Sequence, residues 1–187
     1  MGLKLEIDTN KLKGLVENKM KKAIQTSGRT AINKAMTATR KLAIDQVNKD
    51  TGLAKNLVGS KMQTFKARLD FLSAKIRIAK AGIALDQFKP QTKNVQSARG
   101  PRVGVTVKIG RSPRILVPGG FLATTKRGKT MILKRKGQAR YPTERPYLVD
   151  NPIVKALIDG KHMGELEKKA YSTFEAVFAA EFKKKTE

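Results

Sequence analysis

The stretch FLATTKRGKTMILKRKGQARYPTER, residues 121–145, decides between two folds. If its RGKT closed a phosphate-binding loop, a helix would follow and the chain would be α/β. If the same residues form two strands about a tight turn, they belong to an antiparallel sheet. A phosphate loop needs a glycine, four residues, then Gly-Lys-Ser/Thr, so that successive N–H groups curl round the phosphates ahead of a helix N-terminus. Ala123 stands where the first glycine is required, and Met131, Ile132 and Leu133 after Thr130 continue as a strand, not as a helix start. The nucleotide reading fails. A hairpin remains, with GGFLATT pairing beside KTMILKR.

Neighbouring segments extend the pattern. RVGVTVKIG carries Val103, Val105, Val107 and Ile109 at period two, and SAKIRIAKAGIAL carries Ile76 and Ile78 likewise. These predict an antiparallel sheet of four to five strands over residues 71–140. Upstream, Leu12, Leu15, Val16, Met20, Ala23, Ile24, Ala31, Ile32, Ala35, Met36, Leu42, Ala43 and Val47 recur at three and four. One long amphipathic helix is expected from Lys11 to about Asn48, kinked if anywhere at Ser27-Gly28. A short strand over Leu3, Leu5 and Ile7 precedes it, with Asp8, Thr9 and Asn10 as cap candidates. Thr51 is expected to cap a further short helix that stops near Gly59. Pro142, Pro146 and Pro152 break the chain before closing helices over 150–182, the last with an apolar stripe of Leu166, Ala170, Phe174, Val177, Phe178 and Phe182. The fold class is therefore α+β, as a single domain over 1–187, and the stripe reads as core or subunit packing.

Charge narrows the function. Forty Lys and Arg against fifteen Asp and Glu give +25, far beyond what solubility needs, so the chain is expected to meet a polyanion or an acidic protein surface. Residues 1–70 hold 15 basic and 6 acidic side chains, 71–160 hold 19 and 4, and 161–187 hold 6 and 5. Between Asp86 and Glu144 there is no acid and there are fourteen cations. They concentrate in two places read as loops: residues 89–102, with Lys89, Lys93, Arg99 and Arg102, and the pair 125–129 and 134–140, with Lys126, Arg127, Lys129, Lys134, Arg135, Lys136 and Arg140. Any one of these lysines reads most simply as a solvated side chain; the unbalanced set reads as a contact surface. Nothing in it specifies base readout, since no recognition helix is present. With aromatics at 5% and no Trp, stacking on single strands is poorly supported, whereas sequence-blind phosphate contact suits the composition.

Catalysis finds no constellation. The chain has no cysteine and one histidine, His162, which leaves no multi-residue metal site and no thiol nucleophile; His162 is expected at the surface or as a cap. Asp86 and Glu144 are isolated carboxylates in a basic field, suited to ion pairing. No cofactor is expected. No apolar run approaches the length of a membrane span and MGLKLEIDTNK lacks a signal segment, so a chain kept inside the cell is expected.

The order of the segments RTAINKAMTATRKLAIDQV, TGLAKNLVGSKM, AKIRIAKAGIALDQFKP, GVTVKI and PGGFLATTKRGKTMILKRKGQARYP, closed by a Pro-rich turn into a helix, resembles the minor tail protein Z family of long-tailed bacteriophages. The resemblance covers residues 28–182, with the doubled Gly119-Gly120 and Leu122 as a departure. It implies a non-enzymatic virion protein at the head-proximal end of the tail, assembled in the host cytoplasm and joined to tail terminator, tail tube and head-tail connector. Duplex DNA would run beside it. Sixfold rings are the rule for tail tubes, and six copies of a +25 chain make a ring of +150, which DNA phosphates or acidic subunits must offset. The basic segments would face one or the other. A stand-alone, sequence-nonspecific nucleic-acid-binding protein of ribosomal or nucleoid type is the alternative that charge and size allow.

Overall fold

Small residues at helical spacing set the first element. In the computed structural model, which describes residues 9–79, 81–97, 100–136, 142–148, 151–158 and 162–187, helix α1 runs from Thr9 to Thr51. It is followed by α2 (Lys55–Lys61), β1 (Met62–Phe65), β2 (Lys75–Ile78), β3 (Ile83–Ala84) and a 3₁₀ turn at Leu85–Gln87. Then come β4 (Gln91–Ser97), β5 (Gly100–Val107), β6 (Ile115–Val117), β7 (Gly120–Thr124) and β8 (Thr130–Arg135). The chain closes with β9 (Thr143–Glu144), β10 (Tyr147–Leu148), α3 (Pro152–Ile158) and α4 (Met163–Thr186). The α+β class is as the sequence reads. The strand expected over Leu3–Ile7 and the Asp8 cap lie outside the described residues.

The chain divides into two compact units, residues 1–40, 64–76 and 166–187 forming one and 41–63 with 77–165 the other. In the first, α1 buries Ala23, Ser27, Ala31 and Ala35, one face at a spacing of four, with Met36 beside it. The helix continues through Gly28, so the expected kink is not a break. A Cβ at Gly28 would meet only Leu72 Cδ1, at 3.7 Å, an ordinary contact. Gly28→Ala should therefore stabilise, by about 0.5–1 kcal/mol, because it removes unfolded-state freedom without strain. A rise in the urea midpoint at unchanged slope checks this.

In α4 the rings of Phe174, Phe178 and Phe182 stack in series, 5.6 and 5.7 Å between centroids. All three are half-buried, and an open apolar groove of about 500 Å³ lies between Phe174, Tyr171, Ile32, Met36 and Ile76. Full burial would make Phe178→Ala cost about 3–5 kcal/mol, so at half-burial roughly half of that is expected in urea denaturation of the isolated chain.

In the second unit the core gathers Val47, Leu53, Val58, Met62, Phe88, Val105, Val107, Ile132 and Ile153. Thr51 does not cap α2. Its hydroxyl donates to the Val47 carbonyl at 2.6 Å as the last residue of α1, and Gly52, at φ +71°, takes the left-handed position that ends the helix. The N-cap of α2 is Ala54, without a side-chain bond.

The strands are divided among four small sheets instead of one of four or five: β1-β2, and the antiparallel ladders β3-β10, β4-β5-β6 and β7-β8-β9. Pro118 and Gly119 separate β6 from β7, and a proline cannot donate to a ladder, so the break falls where the ladder would have had to continue. Asn151 places α3. Its side-chain oxygen accepts from the Ile153 N–H at 3.0 Å while its amide donates to the carbonyls of Ala79 and Ala81, at 2.7 and 3.2 Å. Pro152 then occupies the first helical position, where no N–H is needed. Asn151→Ala should cost about 1–2 kcal/mol, the loss of a cap plus the bonds to two part-buried carbonyls, read as a lower urea midpoint.

Candidate functional site

Residues 120–135 fold as the hairpin β7–β8, with Phe121 opposite Leu133, Leu122 opposite Ile132 and Thr124 opposite Thr130. Its turn is closed by local bonds: the Gly128 N–H donates to the Thr125 carbonyl at 2.9 Å, the Thr125 N–H to the Lys129 carbonyl at 2.9 Å, and the Lys129 N–H to Thr125 Oγ1 at 3.1 Å. Gly128 has φ +74°, a conformation that a side chain would strain, which is why RGKT can be a turn here. Lys126, Arg127 and Lys129 are all exposed on this turn.

The other end of β8 carries Lys134, Arg135 and Lys136, also exposed. Successive strand residues point to opposite faces, so Lys134 lies with the buried Ile132 and Arg135 with Leu133. Lys134 stands opposite Glu144 on β9, and the Arg135 guanidinium lies 5.9 Å over the Phe121 ring. The Lys136 N–H donates to the Pro142 carbonyl at 3.1 Å. At about 3.4 Å per residue, Lys129 and Arg135 stand about 20 Å apart along the strand. The two basic runs thus stand as separate clusters at the ends of one strand.

The segment 89–102, expected as a projecting loop, is most of a second hairpin. Strands β4 and β5 pair from Gln91 opposite Thr106 to Ser97 opposite Gly100, which places Arg102 on β5 opposite Val95 and Lys93 opposite Gly104. The alternation of Val103, Val105 and Val107 already carried half of this ladder; Gln91–Ser97, polar at nearly every position, has no strand signal of its own. Arg99 and Arg140 lie outside the described residues. Of the other cations between Asp86 and Glu144, Arg114 is turned inward. Its Nε donates to Thr106 Oγ1 at 3.2 Å and its Nη2 to the carbonyls of Thr106, at 3.3 Å, and Lys89.

Asp86 is an ion-pair partner, as its setting suggested. Arg145 donates from Nε to Oδ1 at 2.9 Å and from Nη2 to Oδ2 at 2.7 Å, and the Asp86 side chain is only 2% exposed. Burial opposes its ionisation, but the Arg145 hydrogen bonds and charge outweigh this and hold the carboxyl below its ordinary value. His162 is not merely a surface residue. Its Nε2 lies 2.6 Å from Asp50 Oδ2, and its side chain is 20% exposed. Among the described residues no three His, Cys, Asp or Glu side chains gather as metal ligands, and no helix is long and apolar enough to cross a membrane.

The hairpin thus carries exposed cations at both ends, with Glu144 opposite Lys134 across its ladder. The prophage minor tail protein Z (GPZ) family matches residues 10–185, and the chain belongs to that family. It is also similar to the tail completion protein of Escherichia phage N15, 24% identical over 124 residues, which cover 66% of this chain and 67% of the relative. No solved structure matches the chain.

Proposed function

We propose that this phage tail protein completes the head-proximal end of the tail and joins it to the neck as a structural, non-catalytic subunit. It works as one domain, in a ring of six copies. The β7–β8 hairpin is its contact element, through Lys126, Arg127, Lys129, Lys134, Arg135 and Lys136, joined by Arg99, Arg102 and Arg140 of the same basic segments of the sequence. The observation that carries this reading is the exposure of six cations on a single closed hairpin, where a fold needing them for itself would have turned them inward as it does Arg114. Such a surface suits a sequence-blind polyanion: the DNA of the tail lumen, or the acidic face of a neighbouring subunit.

The test is position in the particle. A gold-labelled tag after the C-terminal KKKTE, viewed by electron microscopy in particles from a producing lysate, is expected to mark the junction of head and tail. Label absent from particles, with the protein sedimenting with ribosomes or chromosome, would favour a stand-alone nucleic-acid-binding protein instead.

A further inference from the structure

The connection between β1 and β2 is pinned to α1. Asn33 donates to the Ala67 carbonyl at 3.1 Å and accepts from the Ala67 N–H at 2.8 Å. Beyond that anchor the chain makes a tight turn, with the Arg68 N–H on the Phe71 carbonyl at 3.0 Å and the Phe71 N–H on the Arg68 carbonyl at 3.3 Å. A connection held this firmly has every opportunity to tuck its large apolar side chains beneath it. It does the reverse: Phe71 is 69% exposed, Leu69 42% and Leu72 41%.

The exposed patch continues along the helix. Leu72 lies against α1 at Gly28, one turn from Ile24, and Met20 and Val16 follow at the same spacing, exposed at 45, 42 and 55%. At 100° per residue these three share the face on which Ala23, Ser27 and Ala31 are buried. On this face Val16, Met20 and Ile24 are therefore left exposed around the buried Ala23, over about 18 Å as far as Gly28, where Leu72 lies with Phe71 next to it in sequence. A continuous apolar strip with a prominent aromatic ring has the form of a protein contact centred on an anchor.

Charge selects the occupant. The exposed cations beside the strip in sequence are Lys19, Lys21, Lys22, Arg29, Lys66 and Arg68, against Glu17 and Asp70. A second copy would bring the same surplus, since the chain carries +25. The element with the most carboxylates is α4, yet its four Glu stand among five Lys, and there Glu181 is bonded to Lys34 at 3.2 Å. DNA would satisfy the cations and leave Phe71, Leu72 and Ile24 in water. We propose that this strip docks a different protein, whose surface offers an apolar socket ringed by Asp and Glu. The inference rests on reading the chain as a tail protein, which makes that partner another tail subunit.

A photo-crosslinking residue, p-benzoylphenylalanine, in place of Phe71 reads the occupant directly. After irradiation of phage-producing cells, the expected adduct joins position 71 to a tail protein other than this chain, at a segment where acidic residues outnumber Lys and Arg. Adding Lys66→Glu and Arg68→Glu, both exposed, should cut its yield at least tenfold without moving the melting temperature. Ile24→Lys, made separately, should do the same through the strip itself. An adduct to another copy, to lipid or to an acid-poor segment overturns the proposal, as does no adduct at all. The content of the chain in purified particles, measured in parallel, reports separately on whether it is a tail component.

Discussion

Arg145→Ala is expected to destabilise the second unit by about 3–5 kcal/mol, a large part of the stability of an ordinary domain. The cost does not lie in the loss of an attraction alone. Asp86 is 2% exposed, and once its two bonds from Arg145 are gone the carboxylate keeps only the Gln87 amide, which donates to Oδ2 at 3.0 Å, as a side-chain partner. Arg145 also lies 5.7 Å over the Tyr147 ring, beside the pairing of β10 with β3 and the bond from the Leu85 N–H to the Pro146 carbonyl. The segment returning from the basic hairpin is thus clamped at one point. Arg145→Lys keeps the charge but not the two-pronged geometry, and should recover only part of the loss.

The pH dependence separates this cause from simple loss of packing. The folded-state pKa of Asp86 lies below its ordinary value of 3.8, so its contribution is fully present above that value and is lost as pH falls through the folded pKa. Urea denaturation of wild type and Arg145→Ala at pH 7 and again near pH 3 should show the difference narrowing at the lower pH, where Asp86 is protonated in more of both proteins. An unchanged difference would mean that the guanidinium acts by packing on Tyr147.

What could be read in the sequence follows from where each signal is local. The hairpin at 121–135 was legible because alternation, a glycine turn and a failed loop motif all fall within a few residues. The long helix was legible from Val16 to Val47 for the same reason, repetition at one spacing. The ends of elements were harder. Thr51 has the chemistry of a cap at either end of a helix, and only Gly52 at positive φ makes it a terminator. Strand β4 was hidden because its residues are polar and its partner, not its own pattern, makes it a strand. The division into four ladders was invisible because it is set by which short strands find each other across Pro118 and the loops. At the candidate site the residue types were legible and their grouping was not. Lys129 and Arg135 stand close in sequence; the extended backbone parts them. Arg114 counted among the free cations until its bonds to Thr106 showed where it points.

The parting of the two clusters yields the second large effect. If the hairpin grips duplex DNA, Lys126→Ala, Arg127→Ala and Lys129→Ala together should lower the slope of log affinity against log salt by about 2.7, at roughly 0.9 for each phosphate no longer neutralised. Affinity at low salt should drop by two or more orders of magnitude, with the melting temperature unchanged because all three side chains are exposed. Removing Lys134, Arg135 and Lys136 in the same way should have a smaller effect. Lys134 faces Glu144 across the ladder, and its charge is partly answered within the chain. Arg135, held over Phe121, is the cation of that cluster best prepared for a phosphate oxygen, because the ring limits the freedom it would lose on binding. With about 20 Å between clusters the two losses should add. Fluorescence anisotropy on a labelled duplex between 50 and about 200 mM salt, the range over which such binding weakens most, reads both triple variants and their combination. A slope that stays at the wild-type value in the turn variant, while its incorporation into tails falls, would assign the turn to an acidic neighbour and not to DNA. Both targets demand the same charge; only the count of released counterions distinguishes them.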